Sequence, residues 1–233
     1  MTWRDSLSRT LADYPHPSIA VDVALLTVTE DGRLAVLLHE REEQYETGRW
    51  SLPGTFVQVD ETLRVAALRA LRKKVGVTGQ EPQQLRVFDA VDRDDRGRVM
   101  SVAHVDLVPS DRLEGTTGTL RRVDSATRRP VLPDGQNGLA FDHDEIVETA
   151  VKWARDAYRE RPDPRRLIGE EFTLLELQRV HEAVLGRPWQ KDTFRRHMVQ
   201  YLDETGGLSR GAVGKPARLF RRTSPRGEHS RPI

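Results

Sequence analysis

The chain contains no cysteine among its 233 residues, which excludes disulfide bonds, thiol nucleophiles and cysteine-ligated zinc or iron–sulfur sites. It also lacks any run of the roughly 18 apolar residues that a membrane-spanning helix requires. Its first residues have no apolar core of the kind found in secretory signal peptides. We therefore expect a cytoplasmic protein without membrane association.

Aromatic residues are scarce at 6%, whereas hydrophobic residues make up 37% and charged residues 31% of the sequence. A chain of this length and composition can still bury a core, in one large domain or two small ones. The net charge is only +1, but residues 187–222 carry nine Lys and Arg against three Asp and Glu. Such a basic block is typical of a module that binds a polyanion, although a solvated basic face would have the same composition.

The first half of the chain reads as strands with one central helix. In the segment 62–75, Leu63, Ala66 and Leu71 recur at helical spacing, and Gly76 is placed to end the helix. The predicted elements are a helix over 3–13, a hairpin over 18–40, a strand within 50–59, a helix over 62–75, and strands over 85–91 and 99–108.

The second half reads as a long polar loop followed by helices and a hairpin. Asp142 and Glu145, and then Thr173 and Glu176, have the spacing of helix-capping boxes. The predicted elements are a loop over 113–137, helices over 142–158, 174–185 and 191–202, a charged linker over 159–166, and two short strands flanking 211–215. This change of pattern predicts a first domain over 1–160, a second over 161–225 and a disordered tail over 226–233.

The helix predicted over 191–202 has one apolar and one polar face. Phe194, Met198, Val199 and Leu202 share the face that should pack into the domain. Arginine pairs with guanine and glutamine with adenine in the DNA major groove, so the opposite face suits that groove; an ordinary charged helix face is the alternative. The residues expected there are Lys191, Thr193, Arg195, Arg196 and Gln200.

The glycines of the last hairpin allow a close approach to DNA. The basic residues beside them are expected to contact phosphates or the minor groove, positioning the protein without reading sequence. These residues are Arg210, Lys215 and Arg218. His143 and His181 have no His-x-x-x-His spacing around them, so structural roles are favoured over metal binding.

The segment from Gly54 to Val77, GTFVQVDETLRVAALRALRKKVGV, resembles the Nudix box. The resemblance places Glu61 at the first glutamate of the box and Arg69 at its arginine. Ala70, Lys73 and Lys74 occupy three positions where the family carries glutamates. In that family these carboxylates gather Mg²⁺ and orient water, a task that a methyl group and two ammonium groups cannot perform.

The resemblance therefore implies a Nudix domain without catalytic residues, metal or cofactor. It still implies a cleft that holds a nucleotide, with Arg41 near its mouth, where the planar guanidinium could pair with a phosphate. The ligand-binding residues expected from the resemblance are Arg41, Phe56, Glu61 and Lys73.

The segments 171–198 and 211–220 look like a winged helix-turn-helix. Together with the Nudix-like segment they resemble the Nudix-related transcriptional regulators, the NrtR family, over 18–222. The matching pieces include Phe172-Thr173-Leu174, His181-Glu182, Leu185-Gly186-Arg187-Pro188, Phe194-Arg195-Arg196, Leu139-Ala140-Phe141-Asp142-His143 and Asp95-Arg96-Gly97-Arg98.

This resemblance implies an α+β protein: an N-terminal Nudix-like α/β/α sandwich with a mixed sheet, then a C-terminal winged helix-turn-helix domain. It implies a repressor of NAD metabolism genes that binds a palindromic operator in double-stranded DNA as a homodimer. ADP-ribose or a related nucleotide would be the effector that releases it from DNA. The effector's identity and the choice between repression and activation stay open.

Two other functions remain as hypotheses. The first is a Nudix hydrolase acting on ADP-ribose or a related nucleoside diphosphate, which Ala70, Lys73 and Lys74 argue against. The second is a protein–protein module that uses the winged helix as a docking face, a reading that leaves the Arg195 and Arg196 surface without a purpose.

Overall fold

A computed structural model describes residues 3–133, 136–209 and 216–223. The strands are β1 (Ser18–Val28), β2 (Leu34–Glu40), β3 (Trp50–Ser51), β4 (Gly54–Phe56), β5 (Gln83–Phe88), β6 (Val99–Leu107), β7 (Thr119–Arg122), β8 (Phe172–Thr173), β9 (Leu202–Leu208) and β10 (Arg218–Arg222). The α-helices are α1 (Leu63–Val75), α2 (His143–Glu160), α3 (Leu174–Leu185) and α4 (Lys191–Met198). Short 3-10 helices cover Leu11–Asp13, Ser110–Leu113 and Val199–Tyr201.

A mixed sheet forms the centre of the N-terminal domain, with strand order β3-β2-β1-β6-β5. β1 and β6 are parallel, from Ser18 opposite Val99 to Leu26 opposite Leu107. β1 and β2 form the antiparallel hairpin that the sequence predicts. β4 adds to β1 and β7 adds to β2, both antiparallel.

The two faces of this sheet carry separate apolar cores. Because side chains alternate along a strand, Val21, Val23 and Leu25 of β1 pack against α1, whereas Ala24 and Leu26 pack on the opposite side with α2. Each fully buried side chain of this size contributes about 1.5–3 kcal/mol relative to leaving it exposed. The result is the predicted α/β/α sandwich with a mixed sheet.

The C-terminal domain consists of α3, α4 and a three-stranded sheet of order β8-β10-β9. Five buried side chains form its core: Phe172, Leu177, Phe194, Met198 and Phe220. Two helices followed by a β-hairpin give a winged helix-turn-helix, which confirms the predicted fold class.

Several local predictions hold. Thr62 caps α1 by accepting the Val65 N–H, and Gly76 ends this helix in the left-handed conformation with φ 71°. Thr173 and Glu176 form the capping box of α3, and Gly186 ends that helix with φ 68°. These signals depend on residues adjacent in sequence, so the tertiary structure does not override them.

The helix predicted over 3–13 is wrong, since only Leu11–Asp13 form a single 3-10 turn. The carboxylate of Asp5 accepts the backbone N–H groups of Leu7 and Arg9, at 2.9 and 2.8 Å. These side-chain bonds replace the ones that a helix would make.

The loop predicted over 113–137 contains a strand. β7 pairs with β2, with Leu37 opposite Leu120. The sequence pattern missed this strand because its residues Thr119-Leu120-Arg121-Arg122 are mostly polar. The strand predicted over 85–91 begins two residues earlier, at Gln83, and ends three residues earlier, at Phe88.

The capping box predicted at the start of α2 is absent. Asp142 occupies the N-cap position but makes no side-chain cap bond, because its carboxylate receives two hydrogen bonds from Arg93. α2 also extends to Glu160, into the segment predicted as a linker, where Pro162 and Asp163 are buried.

The last predicted helix is shorter than expected. α4 ends at Met198 and passes through a 3-10 turn into β9, which begins at Leu202. Phe194 and Met198 are buried as predicted, but Val199 is 39% exposed, because the tighter turn rotates it away from the core. The hairpin tip at 211–215 and the predicted tail over 226–233 lie outside the described residues. In the part of the chain that is described, no helix is both long and apolar enough to cross a membrane.

Candidate functional site

A cleft of about 230 Å³ opens in the N-terminal domain, where β1, β2 and β4 meet the loop before β6 and the residues that lead into α2. Its lining includes Asp22, His39, Arg41, Thr55, Phe56, Lys74, Arg93, Asp94, Arg96, Phe141 and His143. A larger hollow of about 670 Å³ adjoins it and shares His39, Glu43 and Lys74.

Guanidinium groups and aromatic rings form one wall of the cleft. The Cζ atoms of Arg41 and Arg96 lie 4.9 and 5.1 Å from the centroid of the Phe141 ring. Arg96 also lies 5.0 Å from the Tyr45 centroid and 5.5 Å from that of Phe56. The rings of Tyr45 and Phe141 stack at 5.9 Å. Such a wall offers flat apolar surface and positive charge together.

The two arginines at this wall differ in their partners. Arg96 donates two hydrogen bonds to Asp94, at 2.9 and 2.7 Å, and this carboxylate raises the pKa of Arg96. Burial and the nearby charge of Arg96 lower the pKa of Arg41. The nearest carboxylate contact of Arg41, to Glu43, is long at 3.6 Å. Two like charges beside one ring favour the binding of an anion between them.

The base of the cleft holds a buried carboxylate. Asp22 accepts a hydrogen bond from Ser101 Oγ at 2.6 Å and lies 3.3 Å from His143 Nε2. Burial opposes ionisation of Asp22, yet His143, Ser101 and Arg93 hold the pKa of this carboxyl below its usual value. A Cβ atom at position 54 would collide with this carboxylate, so the close approach of β4 to β1 requires Gly54.

The residues at the Nudix-box positions do not form a metal site. Ala70 is buried, and Lys74 pairs with Glu43. Arg69 donates to both carboxylate oxygens of Glu61, at 3.0 and 2.5 Å, and lowers the pKa of that residue. Within the described ranges, no group of three or more His, Cys, Asp or Glu side chains could hold a metal ion. One carboxylate already paired with arginine, beside ammonium groups, does not fit Mg²⁺.

The four predicted ligand-binding residues are separated by the fold. Arg41 and Phe56 line the cleft, Lys73 lines the adjoining hollow, and Glu61 lines neither of them. Arg96 and Phe141 also line the cleft, although the sequence did not single them out as ligand-binding candidates. Their signals were present, because both lie in short segments that carry the family resemblance.

The second candidate site is the outer face of α4. Gln190 caps this helix by accepting the Thr193 N–H at 2.7 Å. Phe194 and Met198 fix the opposite face in the core of the C-terminal domain. All five residues predicted to read DNA on this segment are exposed: Lys191, Thr193, Arg195, Arg196 and Gln200.

One of the three wing residues predicted to contact phosphates or the minor groove lies among the described residues. Arg218 is exposed on β10 and pairs with Glu204 of β9 at 3.1 Å. Arg210 and Lys215 lie outside the described residues.

The two histidines considered above both have protein partners at each ring nitrogen. His143 Nδ1 accepts the Leu52 N–H at 3.0 Å, so its Nε2 faces Asp22. His181 Nδ1 bonds to the Tyr158 carbonyl at 2.8 Å, and its Nε2 accepts the Asp163 N–H at 3.1 Å. These contacts fix the orientation of both rings.

Comparison with known proteins matches both halves of the chain. A family model described as "NrtR DNA-binding winged helix domain" matches residues 164–222, and one described as "NUDIX domain" matches residues 18–126. The chain is 31% identical to the "ADPR responsive transcriptional repressor NtrR" of Acinetobacter baylyi, over 90% of this chain and 84% of that protein. The chain belongs to the NrtR family.

Solved structures of this family share the architecture. The crystal structure of Shewanella oneidensis NrtR with a 27mer DNA has a TM-score of 0.70 and 32% identity, covering 88% of this chain and 93% of that one. The NUDIX domain of the same Shewanella protein, complexed with ADP ribose, has a TM-score of 0.51 and 26% identity, covering 63% of this chain and 94% of that one.

An enzyme is also among the relatives. The ADP-ribose pyrophosphatase of Methanocaldococcus jannaschii is 30% identical over 141 residues, which are 60% of this chain and 76% of the enzyme. The match to the NrtR-family repressor extends over more of the chain and includes the C-terminal domain.

Proposed function

We propose that this NrtR-family protein is a DNA-binding transcriptional repressor whose Nudix domain binds ADP-ribose or a closely related nucleotide, and that this effector releases it from DNA. The observation that carries the proposal is that one chain combines an arginine–aromatic cleft without metal-binding carboxylates and an exposed basic helix on a winged helix fold. A sensor requires a site that binds the effector and a surface that binds DNA. The effector site should not hydrolyse its ligand, because a ligand that is destroyed cannot report its own concentration.

The DNA contacts in this proposal come from α4 and the wing. The exposed side chains of Thr193, Arg195 and Arg196 on α4 face the major groove, while Phe194 and Met198 hold the helix in the core. Lys191 at the start of the helix and Gln200 in the 3-10 turn after it are also exposed and extend this set. In the wing, the residues that contact phosphates or the minor groove are Arg210, Lys215 and Arg218. A homodimer would place two such helices on a palindromic operator upstream of NAD metabolism genes. The protein would act in the cytoplasm.

The effector in this proposal spans the cleft and the hollow beside it. Arg41 and Arg96 bind the diphosphate, because planar guanidinium groups pair with phosphate oxygens in a fork geometry. The rings of Phe56 and Phe141 give the base a surface to stack on. Lys73 is available in the adjoining hollow. Glu61 is assigned no ligand contact, since Arg69 occupies both of its carboxylate oxygens.

We further propose that the cleft does not hydrolyse its ligand, because Ala70, Lys73 and Lys74 supply no carboxylate to hold Mg²⁺. Hydrolysis remains the second function, favoured by the identity to the Methanocaldococcus pyrophosphatase. The discriminating assay incubates the protein with ADP-ribose and millimolar Mg²⁺ and measures AMP. Release of AMP at enzyme-like rates would support the hydrolase.

The regulator proposal is tested by fluorescence anisotropy at one fixed salt concentration. The labelled DNA is a fragment from upstream of the protein's own gene, and the control is a shuffled fragment of equal length and composition. A repressor binds the upstream fragment 10³-fold or more tightly, as specific DNA-binding proteins do. Equal binding to both fragments would contradict the proposal.

A further inference from the structure

We infer that α2 is the element that couples the effector cleft to the DNA-binding domain. This inference rests on the proposed function, and it names the path by which the ligand would act. Three parts of α2 support this inference: its first residues at the cleft, its buried middle, and its last turns, which contact α3 and α4.

The first residues of α2 are fixed by groups that line the cleft. Asp142, the N-cap residue, receives hydrogen bonds from Arg93 at 2.8 and 2.6 Å. His143, the first residue of the helix, is held by Leu52 and Asp22. Arg93, His143 and Asp22 all belong to the cleft lining. A ligand that displaces any of these groups therefore moves the start of the helix.

Phe141 connects the cleft wall to this anchor. Its ring lies beside Arg41 and Arg96, and its backbone is held at φ +53°, a region that a phenylalanine rarely adopts. Such a conformation is costly and persists only when its surroundings enforce it. Occupation of the space beside its ring changes those surroundings.

The middle of α2 is suited to transmit such a movement. The helix has 18 residues, which corresponds to a length of about 27 Å. It contains neither proline nor glycine, the usual causes of a kink. Ile146, Val147, Ala150, Val151 and Ala154 are fully buried against the sheet.

The last turns of α2 bond to both DNA-binding helices. The Tyr158 carbonyl is bonded to His181 of α3 at 2.8 Å, and the Arg159 carbonyl to His197 of α4 at 3.0 Å. Arg155 reaches the Val184 carbonyl near the end of α3, at 3.4 Å. The recognition helix is therefore attached directly to the end of α2.

Asp163 extends this junction to the wing. Its buried carboxylate accepts the Tyr158 hydroxyl at 2.6 Å and the backbone N–H groups of Leu167 and Ile168, at 2.9 and 3.1 Å. Arg222 of β10 donates to the same carboxylate. One side chain thus joins α2, the interdomain segment and the wing strand.

α3 meets the N-terminal domain both across a groove and through buried contacts. A groove of about 800 Å³ separates the tip of the β1–β2 hairpin from α3 and the turn that follows it. Glu30 and Asp31 line one side, and Arg179 and Arg187 line the other. Val184 of α3 is buried in the same apolar core as Leu34 of β2 and the middle of α2, so a displacement of α2 would reach α3 through packing as well.

The test compares two variants at residues that line neither the cleft nor the DNA face. Asp142→Asn keeps the size of the cap residue and removes its charge from the Arg93 pair. Tyr158→Phe removes only the hydroxyl bond to Asp163. The matched control is Asp156→Asn, also on α2, whose partners are the exposed Lys152 and Arg159. Operator affinity is measured without ADP-ribose and with saturating ADP-ribose, so a weaker ligand affinity does not affect the ratio.

Saturating ADP-ribose should weaken the operator affinity of the unsubstituted protein and of Asp156→Asn by tenfold or more, a common size for coupling between two sites. In Asp142→Asn and Tyr158→Phe the same ratio should fall to within about threefold of 1. Ratios in both variants equal to that of the unsubstituted protein would overturn the inference and leave the proposed function intact. No response in the unsubstituted protein would overturn both.

A second measurement needs no variant. Hydrogen exchange is followed in the full-length protein with and without ADP-ribose. We expect altered exchange at the backbone amides of the last turn of α2, of Asp163 and of the first residues of α3. Altered exchange around the cleft with none at this junction would overturn the inference.

Discussion

His181 Nε2 accepts the backbone N–H of Asp163 at 3.1 Å, inside the junction between the two domains. A protonated imidazole cannot accept this bond, so the contact requires the neutral ring. Burial lowers the pKa of His181 to about 4, and the bond of its other nitrogen to the Tyr158 carbonyl opposes this only in part.

The first prediction is that the protein loses stability as the pH falls from about 6.5 to about 4. In this window the unfolded state binds a proton at His181 and the folded state does not, so the free energy of unfolding rises with pH. A pKa difference of this size is worth about 3 kcal/mol, gained in full above pH 6.5. Urea unfolding at pH 7 and at pH 4.5 measures the difference.

The control for this prediction is His181→Gln. It should be less stable at pH 7, and it should lose most of the pH dependence in the same window. Burial also lowers the pKa of His39 and His104, so a smaller dependence of the same sign remains. A variant with the full dependence of the unsubstituted protein would remove His181 from the explanation.

The second prediction concerns base recognition by α4. Arg195→Ala should weaken binding to the operator by about 10- to 100-fold, because one bidentate arginine–guanine contact is worth about 1–3 kcal/mol. Its binding to shuffled DNA should change much less. Arg64→Ala, an exposed arginine on α1, is the control and should leave both affinities unchanged. Equal losses on the two DNA fragments would assign Arg195 to phosphate contact.

The third prediction concerns the cleft. Arg96→Ala should weaken ADP-ribose binding by about 10- to 100-fold, because a hydrogen bond to a charged group contributes about 1.5–3 kcal/mol. Isothermal titration calorimetry measures this affinity directly. Arg86→Ala is the control, since Arg86 is exposed on β5 and pairs with Glu145. An unchanged affinity in Arg96→Ala would place the diphosphate elsewhere.

The fourth prediction separates two reasons for glycine at position 186: its backbone conformation and the lack of space for a Cβ atom. Its φ of +68° disfavours any other residue, and an added Cβ would lie 2.6 Å from Arg155 Nη2 and 2.7 Å from Ser125 Cβ. Gly32 has a similar φ of +73° with nothing within 4 Å. Gly32→Ala should therefore cost about 1 kcal/mol of stability, the conformational part alone. Gly186→Ala should cost clearly more, as urea unfolding of the two variants will show.

Much of the fold could be predicted because its signals are local. The helix α1 and the start of α3 follow from apolar spacing and capping residues within a few positions of each other. The segment 3–13 and the N-cap Asp142 could not be predicted in this way. In the segment 3–13, the Asp5 carboxylate accepts backbone N–H groups that would otherwise bond within a helix. At Asp142, a hydrogen bond from Arg93, which is distant in sequence, holds the carboxylate away from the N–H groups of the helix that it would cap.

The candidate site was harder to predict than the fold. Arg41 and Phe56 could be assigned, because each lies at a recognisable position of the Nudix pattern. Glu61 also lies in that pattern, but the turn of α1 brings Arg69 onto its carboxylate. Arg96 and Phe141 lie 45 residues apart in loops. Only the pairing of β1 with β6 and the packing of α2 bring the Arg96 guanidinium beside the Phe141 ring. No spacing rule connects such residues.

In the proposed function, one ligand in the Nudix cleft controls DNA binding. The most direct test titrates ADP-ribose into a preformed complex of the protein with its labelled upstream DNA, at fixed salt, and follows fluorescence anisotropy. Anisotropy should fall toward the value of free DNA, with a midpoint that shifts upward as the DNA concentration rises, because the two ligands oppose each other. Anisotropy that stays at the value of the complex, at ADP-ribose concentrations that calorimetry shows to saturate the cleft, would contradict the proposed function.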